Sequence, residues 1–91
     1  MEPTMNISLP ESVAPGVLAD FVTISHTPDY FVFDFVTVVR ARPGAAEGDV
    51  EIDGQVASRV KVLPSQVFEI MKALEQQLSQ WEHETGRAAN P

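Results

Sequence analysis

The sequence contains no cysteine, which removes disulfides, thiolate catalysis and zinc sites of the usual kind. It also fits a reducing compartment. There is no apolar run near the roughly 20 residues that a membrane helix needs. No basic segment followed by an apolar one reads as a signal peptide. A cytoplasmic protein with no membrane partner is therefore expected. Positive charge is scarce: six Lys and Arg stand against 13 Asp and Glu, for a net charge of −7. Such a chain repels phosphate backbones, so nucleic acid is not an expected partner. The sequence also lacks a phosphate-cradling glycine loop, a Gly-x-Ser-x-Gly elbow and a zinc-ligand spacing, so no cofactor or metal is expected.

What is present describes a small α+β domain. A chain of 91 residues buries only about 60–65% of its unfolded surface. Without disulfides, oligomerisation is the remaining common stabiliser. Residues 1–4 read as a flexible tail, residues 5–86 as one domain, and residues 87–91 as a second tail. Met5, Ile7 and Leu9 alternate with Asn6 and Ser8, a pattern that allows a short N-terminal strand. Two prolines and a glycine then break the chain over residues 10–16. Residues 17–25 and 30–39 are rich in β-branched and aromatic residues and read as strands, joined by a turn at His26-Thr-Pro-Asp29. Residues 42–48 form a loop, and residues 50–63 return as a third strand. Asp53-Gly54 interrupts that strand as either a bulge or a small turn. Pro64 suits the first position of a helix that runs to about Thr85, and Gly86 suits its left-handed end.

The two periodicities fit together. At 100° per residue, Val67, Ile70, Met71, Leu74, Leu78 and Trp81 fall within an arc of roughly 100°, with Phe68 on its flank. The spacing of 67, 71, 74, 78 and 81 also matches a heptad seam, but over only about two heptads. If Pro28 and Asp29 are the loop of a two-residue hairpin, Phe33 faces Ile24 and Phe35 faces Val22. Pairing Phe31 with Val62 and Phe33 with Val60 then gives one continuous apolar face: Leu18, Val22, Ile24, Phe31, Phe33, Phe35, Val60 and Val62. This face is the expected seat of the helix. The other face is apolar at both ends, and its Phe21, Val32, Val36, Val38 and Ala57 form a candidate interface. Asp34 lies in the middle of that face opposite Arg59. A carboxylate in an apolar strand needs a partner if it is buried, so a structural ion pair is expected.

These residues also carry a family resemblance. Gly16, His26-x-Pro28, Phe31-x-x-Asp34-Phe35, Arg59 before an apolar strand end, Pro64 opening the helix, and Glu82 with Gly86 closing it occur in a characteristic order. Over residues 7–86 the chain resembles the domain-of-unknown-function 3467 family of small bacterial and archaeal proteins. It departs from the pattern at Leu63, where a Ser or Thr cap is expected, and in a longer loop between Arg40 and Val56. That family has no assigned activity, so the resemblance implies the fold and leaves the function open.

Other polar residues are weaker candidates. His26 has Thr27 and Asp29 beside it, but a metal needs further ligands. His83 lies on the polar helix face between Glu82 and Glu84. Glu47, Asp49, Glu51 and Asp53 do not follow the calcium-loop pattern and read as a solvated acidic edge that discourages strand addition. The expectation is a non-enzymatic homodimeric interaction module or accessory subunit. The alternatives are a holdase-like or peptide-binding protein using the second apolar face, and a small enzyme using His26 and Asp34.

Overall fold

The structure is a computed structural model and describes residues 2–89. In chain order the elements are β1 (Phe21–His26), β2 (Phe31–Pro43), β3 (Val50–Val62) and α1 (Pro64–Thr85). The strands form one antiparallel sheet in the order β1-β2-β3. The fold is therefore α+β, an open three-stranded meander followed by one helix.

Local chemistry explains the hairpin. The Thr27 hydroxyl accepts the backbone N–H groups of Asp29 and Tyr30, each at 3.2 Å, and the Thr27 N–H donates to the Tyr30 carbonyl at 2.9 Å. This closed turn sets the β1–β2 register, with Ile24 opposite Phe33 and Val22 opposite Phe35. On the other side of β2, Phe31 pairs with Val62, Phe33 with Val60 and Asp34 with Arg59.

The register also answers the question at Asp53-Gly54. Val38 pairs with Gly54 and Arg40 with Asp53, so Val39 of β2 is the extra residue of a bulge. A second irregularity inserts Ala57 in β3, between Ser58 opposite Phe35 and Val56 opposite Val36. One inserted residue reverses the side-chain alternation beyond it. Val56, rather than Ala57, thus stands across from Val36. Gly54 is required here for space: a Cβ on it would lie 2.7 Å from Val36 Cγ1.

Several boundaries differ from the sequence expectation. Residues 5–9 pair with no strand, and their apolar side chains are exposed. Alternation marks residues that can form a strand, but it supplies no neighbour to pair with. β1 begins at Phe21 rather than at residue 17. Just ahead of it, Thr37 Oγ1 donates to the Leu18 carbonyl at 2.8 Å, and the Asp20 carboxylate accepts the Val38 N–H at 2.6 Å. A side chain thus takes the place of the next ladder bond. β2 runs on to Pro43, so the loop shortens to a turn in which the Gly44 N–H donates to the Asp49 carbonyl at 2.8 Å.

The helix starts at Pro64 after an extended Leu63 that makes no side-chain cap, and it ends at Gly86 with φ 68°. Its end is also tied down. Arg87 stacks over the Trp81 ring at 5.2 Å, and the Ala89 N–H donates to Glu82 Oε2 at 3.1 Å. Residues 87–89 of the expected C-terminal tail thus return to the last helical turn, while Asn90 and Pro91 lie outside the described residues, as does Met1 of the N-terminal one.

α1 is expected to pack along the apolar sheet face, but only its first turns come near it and none of its residues is buried, because the helix projects away from the sheet instead of lying across it. Ile70 and Leu74 share a cavity of about 410 Å³ with Val22, Ile24, Phe33, Phe35, Val60 and Val62. Leu74 remains 64% exposed, and Phe68, Met71 and Leu78 are exposed as well. Val36, at 8% exposure, is the one buried apolar side chain among the described residues. The radius of gyration is 17.6 Å, against about 12 Å for a compact chain of this length. The helix and the sheet thus supply the two halves of a core that the chain leaves open.

Candidate interaction surface

The two sheet faces differ in chemistry. The face turned toward the start of α1 is an open groove whose lining is entirely apolar, contributed by all three strands and, from the helix, by Ile70 and Leu74. Strand alternation places Val22, Ile24, Phe33, Phe35, Val60 and Val62 on it, and the helical period brings Ile70 and Leu74 to its rim. Such a surface offers burial to an apolar partner and has no group that could activate a bond.

The opposite face holds the Asp34–Arg59 pair. Arg59 Nε donates to Asp34 Oδ1 at 2.7 Å and its Nη2 to Oδ2 at 2.9 Å, a bidentate arrangement across β2 and β3. The Asp34 side chain is 15% exposed and that of Arg59 is 61% exposed. The hydrogen bonds from Arg59 hold the Asp34 carboxyl below the usual carboxylate range, against a smaller opposing effect of desolvation. Each Asp34 carboxylate oxygen thus accepts one bond from Arg59. Thr23 stands opposite Asp34 on β1, and Lys61 sits over the Tyr30 ring at 5.0 Å.

The residues of the candidate interface do not form one open patch. Val36 is buried beside Gly54, Phe21 and Val38 are exposed, Val32 is half-buried, and Ala57 occupies the inserted position. The charged Asp34–Arg59 row separates Val32 from Val36 along β2.

A second ionic group braces the far end of the β2–β3 ribbon. Asp53 Oδ2 accepts from Arg40 Nε at 2.8 Å and from Arg42 Nε at 3.0 Å, and Arg42 Nη2 reaches Glu51 at 2.9 Å. Donation from Arg42 first, and from Arg40 second, lowers the Asp53 pKa. Three of the chain's basic side chains, Arg40, Arg42 and Arg59, are therefore already paired with carboxylates.

The histidines stand apart from both groups. His26 lies 5.5 Å from Phe31, ring centroid to centroid. His83 is exposed in the last turn of α1. Among the described residues, no three His, Asp or Glu side chains are grouped to hold a metal ion, and no helix is long and apolar enough to cross a membrane. Sequence reasoning flagged the irregularity at Asp53-Gly54 but missed the pairing of Asp53 with Arg40 and Arg42 and the bond from Val38 to Asp20. The glycine inside a strand was the visible signal of the close approach to Val36.

The comparisons with known proteins give one match. The model of a family described as "Protein of unknown function (DUF3467)" matches residues 1–89. No curated protein and no solved structure matches the chain.

Proposed function

The chain belongs to the DUF3467 family, whose description assigns no activity, and we propose that it acts as a non-enzymatic interaction module that completes its core by forming a homodimer. The observation that carries this reading is surplus surface. A folded monomer of this mass exposes about 5,200 Å², whereas the chain exposes 8243 Å². The surplus of about 3,000 Å² is shared between the open groove, the projecting helix and the exposed residues ahead of β1, and it leaves room for the roughly 800 Å² that each partner contributes to a standard interface. The groove supports the same conclusion, because a protein exposes a contiguous apolar patch of this kind where something binds. An adaptor or accessory subunit of this type leaves the Asp34–Arg59 face and the ribbon free for other contacts.

Light scattering tests the reading: a mass near 20 kDa is expected at micromolar concentration, and a monomer mass near 10.0 kDa at high concentration refutes it. The apolar lining of the groove favours one second reading, a holdase-like protein that takes extended apolar segments there. The two separate by dye binding. A sealed dimer leaves a hydrophobic dye dark at rest, whereas a resting holdase lights it.

A further inference from the structure

We propose that each groove is filled by the helix of a second copy, so that Leu78 and Trp81 of one chain seat against Ile24, Phe33 and Val60 of the other. This inference rests on the homodimer reading and specifies its contact. The apolar stripe of α1 does not stop where its own groove stops. Ile70 and Leu74 line the cavity, while Leu78 and Trp81 do not. They continue the stripe by about 6 and 10 Å beyond Leu74, at 1.5 Å per residue. This overhang is apolar, with Leu78 45% and Trp81 38% exposed, and the cover on the Trp81 ring is the Arg87 guanidinium and not an apolar group.

Charge decides what can cover the overhang. Between Lys72 and Arg87, the latter turned onto the Trp81 ring, the helix has Glu75, Glu82 and Glu84 and no Lys or Arg. A seam of two such helices against each other would bring carboxylates of both chains together, which is unfavourable at flanking positions. The sheet row Ile24–Phe33–Val60 carries no charge and is still open. The overhanging helix therefore fits a sheet face better than it fits another helix. A two-fold axis closes the arrangement, since each chain then gives one helix end and receives one. The surplus area is ample for two such contacts.

The chain's lack of cysteine makes the contact directly mappable. Leu78→Cys and Ile24→Cys variants, purified separately, mixed and oxidised, should give a disulfide-linked pair containing one of each. Leu78→Cys with Val60→Cys should do the same, and Gln76→Cys, from the polar side of the helix, should link to neither. Leu78→Glu should raise the dimer's dissociation constant at least about 100-fold, the scale for an unpaired charge in a buried contact. If Leu78→Cys instead links to itself and not to the sheet variants, the helices pair with each other and the proposal is wrong. A wild-type dimer mass without any of these cross-links also overturns it, while leaving the homodimer itself standing. A monomer mass removes both.

Discussion

Gly54→Ala is the sharpest test of the sheet's interior, because the structure places a single added carbon against a single named atom. The new Cβ would lie 2.7 Å from Val36 Cγ1, with Thr37 O at 3.7 Å and Phe21 Cζ at 3.8 Å. The last two are ordinary contacts, so the conflict is with Val36 alone. Val36 yields poorly: it is β-branched and stiff at χ1, and it is the most deeply buried apolar residue described. Overpacking of this kind costs about 1–3 kcal/mol. Against it stands a gain of about 0.4–1 kcal/mol from restricting the unfolded chain, since Gly54 has no left-handed φ that alanine would resist. The net expectation is a loss of about 1–2 kcal/mol. Val36→Ala alone should cost about 1.5 kcal/mol for the two buried carbons removed. It also deletes the clashing Cγ1, so the double variant should be more stable than the sum of the singles by about 1–2 kcal/mol. Urea unfolding of the four proteins at one fixed protomer concentration measures this coupling. Additivity within about 0.5 kcal/mol would show that the two side chains do not meet, and the bulged register at Val39 would fall with it.

The remaining predictions concern charge. The Asp34 pKa is depressed in the folded state by Arg59. The ionised pair therefore stabilises the protein above the ordinary carboxylate pKa, and that contribution is lost as pH falls through the lowered value. Between about pH 5 and pH 2, urea midpoints of the native chain should fall more steeply than those of Asp34→Asn; parallel curves would show that the pair is not formed in solution. Asp34→Ala should destabilise more than the double change Asp34→Leu, Arg59→Met, since the double change leaves no unpaired charge; a cycle with no coupling would deny the contact. Duplex and single-stranded DNA should show no binding at physiological salt, because net charge opposes it and Arg40, Arg42 and Arg59 already face carboxylates. A salt-sensitive, submicromolar titration would reverse that conclusion.

How much of this was legible in the sequence depended on the range of the physics involved. The hairpin could be read because Thr27, Pro28 and Asp29 act within four residues, and its register then carries Ile24 to Phe33 by counting. The facing of Asp34 and Arg59 followed from the same count, since period-two alternation lets one pairing fix its neighbours. The bulges at Val39 and Ala57 could not be read in this way. Both flank Val36 in the register, and only Gly54, lacking a side chain in the middle of a strand, hinted at the close approach to it. Asp20 was hidden for a similar reason: its carboxylate replaces a ladder bond to Val38, a substitution that no alternation pattern records. The helix shows the deepest limit. Val67, Ile70, Met71, Leu74, Leu78 and Trp81 state that a stripe must be covered, and the apolar sheet face states the same of itself. Matching the two within one chain is the simplest assignment. Yet periodicity is indifferent to whether the cover comes from the same chain or from another, because burial depends on area removed from water and not on connectivity. The open groove and the overhang at Leu78 and Trp81 are where that indifference becomes visible.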